Sequence, residues 1–374
     1  MANIAKVKKM AIETNVLYYG DNLEILRKYI PDSSVDLIYL DPPFNSSATY
    51  NVLFKEPTGK PSQAQMSAFE DTWHWGLDSE KGLQEIAASS NAPTAVKEFM
   101  SVLPKLVGRR TDMSAYLTMM CIRLIELRRV LKDTGSLYLH CDPTASHYLK
   151  IMLDTIFGPH NFRNEISWKR TAAHSSARRY GPVHDILLFY SKTAEYKWNI
   201  IYTAYDKEYE ENFYRHIDEN RRRYQLIDLS APGDRAGTRA HYEWKGKLPP
   251  RGRHWAQTID VMTKYENEGR IVYSSTGTPR LKQYLDKMPG MKIQDTWTDI
   301  NPVSSHADER LGYATQKPET LLERIIQSSS GEGDIVLDPF CGCGTAVVAA
   351  QKLNRKWIGM DVTHLAIGLM KWRL

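Results

Sequence analysis

The sequence predicts an α/β fold, a mostly parallel sheet with helices on both faces, and three observations carry that expectation. Strand-like and helix-like runs alternate from Val16 to Tyr190 and again from Pro318 to Leu374, the pattern that builds parallel sheets through crossover helices. Val35 to Leu40 (VDLIYL) reads as a continuous apolar strand, the kind buried on both faces. Asp334 to Asp361 reads as strand, glycine turn, small-residue helix and second strand, which is the skeleton of a nucleotide-type site at the carboxyl end of a parallel sheet.

The elements follow in order. Val16 to Tyr19 is a short strand, and Asp21-Asn22 opens a helix through Ile30 that Pro31-Asp32-Ser33 breaks. Leu117, Met120, Leu124, Leu127 and Leu131 recur at three- and four-residue steps with charged residues between them, so Ser114 to Leu131 predicts an amphipathic helix. Lys132 to Gly135 stops it. Ser136 to His140 is the next strand, Thr144 to Phe157 a helix ended by Gly158-Pro159, and Ile166 to Trp168 and Asp185 to Tyr190 are further strands. The stretch Asn45 to Arg110 is less regular, and PTGKPSQAQ within it reads as a mobile loop. Alternation resumes with a helix from Pro318 to Ser330, a strand from Asp334 to Leu337, a helix from Gly344 to Leu353, a strand from Lys356 to Met360 and a helix from Thr363 to Leu374. The uncapped ending, GLMKWRL, is compatible with a native end or with the edge of a longer protein.

At 374 residues, 42% hydrophobic and 25% charged, the chain has the composition of a soluble enzyme of one large or two smaller domains. No apolar run approaches the ~18 to 20 residues that span a bilayer. MANIAKVKKMAIETN lacks an apolar core and a cleavage site for secretion, so a cytoplasmic location without membrane attachment is expected. Cys121, Cys141, Cys341 and Cys343 are too few for a disulfide scaffold, and the Cys341-x-Cys343 spacing, with no second pair, leaves no metal site expected.

The net charge of +5 is unevenly spread. Arg215 to Trp255 holds ten Lys/Arg against five Asp/Glu, which accounts for the whole excess. The cations are interleaved with Tyr224, His241, Tyr242, Trp244, His254 and Trp255. Cations neutralise phosphates and aromatics stack on bases, so the stretch is a candidate polynucleotide surface. Its candidate DNA-binding residues are Arg221, Arg222, Arg223, Arg235, Arg239, Lys245, Lys247, Arg251 and Arg253. A solvated basic loop is the plain alternative.

Two motifs carry chemistry. In the first, a strand delivers Asp338, a turn follows with Gly342 and Gly344, and about twenty residues on a second strand ends in Asp361. Glycines allow close approach of a ligand at a helix amino terminus, and the second acid is placed for ribose hydroxyls. Val347 stands where a dinucleotide fold wants its third glycine, which disfavours an oxidoreductase. In the second, the strand Val35 to Leu40 ends in Asp41-Pro42-Pro43-Phe44. The prolines stiffen the turn and remove donors, leaving a carboxylate, a fixed carbonyl and an aromatic plane to hold an amino-bearing ring.

Asp41-Pro42-Pro43-Phe44 with the distant Asp338-Pro339-Phe340-x-Gly342-x-Gly344-Thr345 resembles the amino-methyltransferases of DNA. That family uses S-adenosyl-L-methionine to methylate the exocyclic nitrogen of adenine or cytosine. The order, with the catalytic motif first, a basic insert next and the cofactor turn last, is similar to its permuted β class. Gly20-Asp21-Asn22, His184 to Leu187 and Thr315-Gln316-Lys317-Pro318 fit the same pattern. The resemblance implies a Rossmann-like S-adenosylmethionine-dependent methyltransferase fold, circularly permuted. Its parts would be a catalytic half at 1–191, an inserted target-recognition region at 192–299 and a cofactor-binding half at 300–374.

By that resemblance Asp41, Pro42, Pro43 and Phe44 are catalytic. Asp338, Phe340, Gly342 and Gly344 line the cofactor's methionine side, with Pro339 and Thr345 in the same turn. Asp361 takes the ribose, Thr315 and Lys317 the carboxylate beside Gln316, and Asp21 the adenine ring beside Asn22. Cys343 stands where members commonly carry serine. An Asp heading the tetrad favours adenine-N6 over cytosine-N4. Double-stranded DNA is the implied partner, with a homodimer and a restriction endonuclease partner as further options, in a prokaryotic cell or phage. The same fold acting on cytosine-N4 or on RNA, or as a silent DNA-binding subunit, are the alternatives.

Overall fold

The computed structural model describes residues 12–43, 48–52, 66–71, 74–171, 178, 180–235, 237–304, 307, 309–313 and 315–374, with the backbone alone at 48–52 and 66–71. The chain separates into two compact units, one made of 1–201 with 294–374 and the other Tyr202–Ile293.

The first unit is built on an eight-stranded sheet. Its order is Val16–Tyr19, Lys356–Asp361, Ile335–Asp338, Val35–Leu40, Leu131–Cys141, His184–Ser191, Phe162–Lys169 and Thr296–Trp297. Seven strands run one way and His184–Ser191 runs against its two neighbours. The architecture is therefore α/β and mostly parallel. Val336 pairs with Leu37, so two strands ~300 residues apart in sequence lie side by side. Lys356–Asp361 lies on the far side of Ile335–Asp338. This arrangement brings Asp41, Asp338 and Asp361 to neighbouring strand ends at one edge.

Every residue of Val35–Leu40 is buried, including Asp36, so the strand is not continuously apolar. The Asp36 carboxylate accepts from the Ile335 N–H at 3.0 Å, Lys132 Nζ at 2.7 Å and Lys197 Nζ at 3.2 Å. Burial alone would raise this acid, but those donors outweigh it and hold it below the ordinary carboxylate range. Lys197 also bonds Asp334, so the acid staples two strands at the end opposite the cavity.

The helix expected at Ser114 to Leu131 spans Asp112–Val130. It is not amphipathic: 14 of its 19 residues are buried, Glu126 among them, because helices Asn22–Tyr29, Leu77–Ala88 and Ser146–Phe157 surround it. The strand read as Ser136 to His140 begins at Leu131, which pairs with Val35 across a bulge before Leu37 meets Ser136. Helices Leu77–Ala88 and Thr94–Leu106 occupy part of the segment read as irregular. The PTGKPSQAQ stretch lies outside the described residues.

The second unit carries an antiparallel sheet ordered Ile271–Tyr273, Pro279–Tyr284, Arg223–Asp228 and His216–Ile217. Leu229, Trp244, Trp255, Met262 and Leu281 form its own small core. Trp244, Trp255 and His254 are buried there, so these three rings are structural and do not offer faces to bases as the sequence pattern suggested.

Candidate active site

Strand ends make the site. A cavity of about 660 Å³ opens at the edge where Asp41, Asp338 and Asp361 emerge, and all three line it. Asp338 is buried, and its one hydrogen bond among the described residues comes from the Phe340 N–H, at 3.1 Å. Desolvation, with Asp41 and Asp361 nearby, raises its pKa well above the ordinary carboxylate value. Asp361 is better satisfied. It accepts from the Gly342 N–H at 2.9 Å and from Thr363 N–H and O–H at 2.8 and 2.7 Å, yet burial still raises it.

The turn between these acids needs its glycines. Gly342 has φ +49°, and a Cβ there would meet the Tyr313 ring at 3.3 Å. Gly344, at φ +82°, starts the helix Thr345–Lys352, and a Cβ would collide with Met370 at 2.5 Å. Gly344 is thus the one residue of the twelve expected around the cofactor that does not line the cavity; its place is behind the turn. Thr315, Gln316, Lys317, Pro339, Phe340 and Thr345 all line it. Gln316 also ties its own loop, accepting from the Leu311 N–H at 2.8 Å and donating to the Glu309 carbonyl.

Asp21 and Asn22 line the cavity at the start of the first helix. Asp21 caps that helix, accepting from the Leu23 N–H at 2.8 Å and the Glu24 N–H at 3.3 Å. Asn22 donates to the Pro339 carbonyl at 2.7 Å, joining the first helix to the glycine turn. Arg123, which the sequence placed on a solvent face, is turned inward to bond both, at 2.6 Å to Asp21 Oδ2 and 2.6 Å to Asn22 Oδ1. Its burial lowers its pKa, opposed by Asp21.

On the other side of Asp338, Asp41, Pro42 and Pro43 line the cavity, while Phe44 lies outside the described residues. The Asp41 carboxylate takes a hydrogen bond from Lys317 Nζ, so the lysine the family resemblance assigned to the cofactor's carboxylate sits on the acid it assigned to catalysis. Beyond Asp41, the cavity is walled by Tyr39, Trp168, Arg170 and Asp185, none of them singled out as site residues by sequence.

Adjacent parallel strands thus carry the Asp-Pro-Pro motif and the Asp-Pro-Phe-x-Gly-x-Gly turn onto one cavity, and a family model described as DNA methylase matches residues 35–369. The chain belongs to the DNA methylase family. It is 29% identical over 366 residues to the Type II methyltransferase M.EcaI of Enterobacter cloacae, covering 98% of this chain and 70% of that protein. It is 26% identical over 358 residues to the Type III restriction-modification enzyme StyLTI Mod subunit of Salmonella typhimurium, covering 91% of this chain and 50% of that one. The chain therefore spans only about half the length of some relatives. Among solved structures it is similar to the PvuII DNA methyltransferase (cytosine-N4-specific), with 12% identity, 97% of this chain and 87% of that chain covered, and TM-score 0.47.

The nine candidate DNA-binding cations of this DNA methylase lie in the second unit and divide into two groups. Arg222 is fixed by Asp286 through two bonds of 3.0 and 2.9 Å and stacks 3.8 Å over Tyr284. Lys245 pairs with Glu266, Lys247 with the Thr276 carbonyl, and Arg253 with Ser230 at 2.9 and 2.6 Å. Arg221, Arg223, Arg235, Arg239 and Arg251 are exposed and make no such bonds among the described residues. No pattern in the basic stretch signals the division, because the partner acids Glu266 and Asp286 lie outside it.

Proposed function

We propose that this DNA methylase transfers a methyl group from S-adenosyl-L-methionine to the exocyclic N6 of an adenine flipped out of duplex DNA. The observation that carries the reading is the meeting of Asp41-Pro42-Pro43 with the Asp338–Asp361 turn on one cavity. The turn half suits the cofactor. Asp338 is a buried carboxyl with acceptor capacity to spare and a raised pKa, which a ligand bringing positive charge and hydroxyl donors would relieve. Asp338 and Phe340 would hold its methionine side, Asp361 its ribose and Thr315 its carboxylate. Bound there, the cofactor supplies an electrophilic methyl group.

The other residues act on the acceptor base. An exocyclic amino group is a weak nucleophile because its lone pair is delocalised into the ring. The Asp41 carboxylate and Pro42 carbonyl would accept its two hydrogens and aim the lone pair, with the stiff prolines fixing both acceptors, so positioning and electrostatics provide most of the acceleration. Phe44 would stack on the base. Reaching the amino group requires extruding the base, at a cost of a few kcal/mol in lost stacking. Arg221, Arg223, Arg235, Arg239 and Arg251 would hold the phosphates and the duplex edge. Digesting methylated DNA to nucleosides tests the assignment: N6-methyl-2′-deoxyadenosine supports it, and N4-methyl-2′-deoxycytidine would move the target to cytosine.

A further inference from the structure

A row of buried polar groups crosses the sheet beneath the half of the cavity away from the glycine turn. Tyr39 Oη lies 2.9 Å from His140 Nδ1, and His140 Nε2 lies 3.1 Å from Asp185 Oδ2. One tautomer satisfies both contacts, with Tyr39 O–H donating to Nδ1 and Nε2–H donating to the carboxylate. All three residues are at most 2% exposed. Trp168 packs edge-on against His140 at 5.8 Å and donates its indole N–H to the Ile300 carbonyl at 3.0 Å. The row ends at the surface: Arg170 Nε lies 3.0 Å from Asp185 Oδ1, and the arginine side chain is 41% exposed. Arg170 is pinned at its backbone too, its N–H donating to the Val183 carbonyl at 3.0 Å.

Resting on the function proposed above, we infer that Arg170 is a specificity-determining residue that donates a hydrogen bond to the ring nitrogen next to the target amino group. Three observations carry this. The strand order sets Asp338 and Asp361 on one side of Asp41, and His140, Asp185 and Trp168 on the other, so cofactor and base have separate halves. The guanidinium is donor-only, and no described residue bonds its two Nη atoms. Arg170 and Asp185 together carry little net charge, which suits a neutral heterocycle better than a phosphate. Asp41 and the Pro42 carbonyl accept from the amino group, Arg170 donates to the adjacent ring acceptor, and a base lacking that donor–acceptor pair leaves these groups unpaired. Tyr39, His140 and Asp185 are positioning residues for the arginine.

The test is a cycle crossing Arg170→Ala with a base analogue. Duplexes would carry the mapped target site with the natural base or with its deaza analogue lacking that nitrogen: 1-deazaadenine for adenine, 3-deazacytosine for cytosine. Each single change is expected to lower kcat/KM about ten- to hundred-fold, and both together no further. Cofactor affinity, read by calorimetry, is expected to stay within about twofold. Arg170→Met, which keeps the stem and removes every donor, serves if the alanine variant fails to fold. Losses that multiply, a collapse of cofactor binding, or an effect confined to the salt dependence of DNA binding would each overturn the contact. Failure of the wild-type protein to methylate natural DNA would instead overturn the proposed function, and the contact with it.

Discussion

Asp338 has a buried carboxyl, one hydrogen bond among the described residues and a pKa held well above the ordinary range by desolvation and two neighbouring acids. Its raised value runs the linkage in reverse of a paired acid: it costs stability as pH rises above the unfolded value near ~3.9. Asp338→Asn is therefore expected to stabilise the cofactor-free protein near neutral pH by about 1 kcal/mol, while weakening cofactor binding; melting curves and calorimetry read the two effects. Arg123 makes the opposite case. Truncating it to alanine leaves the Asp21 and Asn22 oxygens without their cation, and is expected to cost about 1–3 kcal/mol of stability together with cofactor affinity. The acids are legible as sequence motifs because strand and turn chemistry surround them. Arg123 is not, because an arginine between apolar residues looks the same whether it faces solvent or a carboxylate across the fold.

At the level of elements, strands and helices beside the two motifs are legible because apolar runs, glycines and prolines punctuate them. Asp112–Val130 is legible as a helix but not as a buried one, since periodicity reports one apolar face and cannot show that three other helices cover the rest. Helix Thr94–Leu106 lies in the segment read as irregular, although Val96, Met100 and Leu103 fall on one buried face at helical spacing. The Asp36 staple is hidden because both its lysines and the Ile335 N–H come from other strands and loops. Its depressed pKa gives stability that is present above the unfolded carboxylate value near ~3.9 and is lost as pH falls through the lower folded value. Lys197, raised by Asp334 and Asp36 against its own desolvation, loses its contribution as pH climbs past its folded value. Asp36→Asn is expected to cost about 1–3 kcal/mol at neutral pH and to flatten the acid limb of a stability–pH profile.

Across the whole molecule, the sheet unit carries the cavity and the second unit carries the basic excess. Composition locates that excess, but only side-chain partners divide it into cations that brace the unit and cations that face water. Replacing Arg235, Arg239 and Arg251 with alanine is expected to lower the slope of log K against log salt by roughly 0.9 for each phosphate no longer neutralised, with little change in melting temperature. Arg222→Ala is expected to act mainly on the stability of the unit, because Asp286 and Tyr284 already occupy its guanidinium. The proposed reaction stands or falls on incubating the protein with DNA and S-adenosylmethionine labelled in its methyl group, followed by nucleoside analysis. Label in N6-methyl-2′-deoxyadenosine, abolished by Asp41→Ala with cofactor binding retained, is the predicted result; DNA without label, or label on a ring carbon, would contradict it.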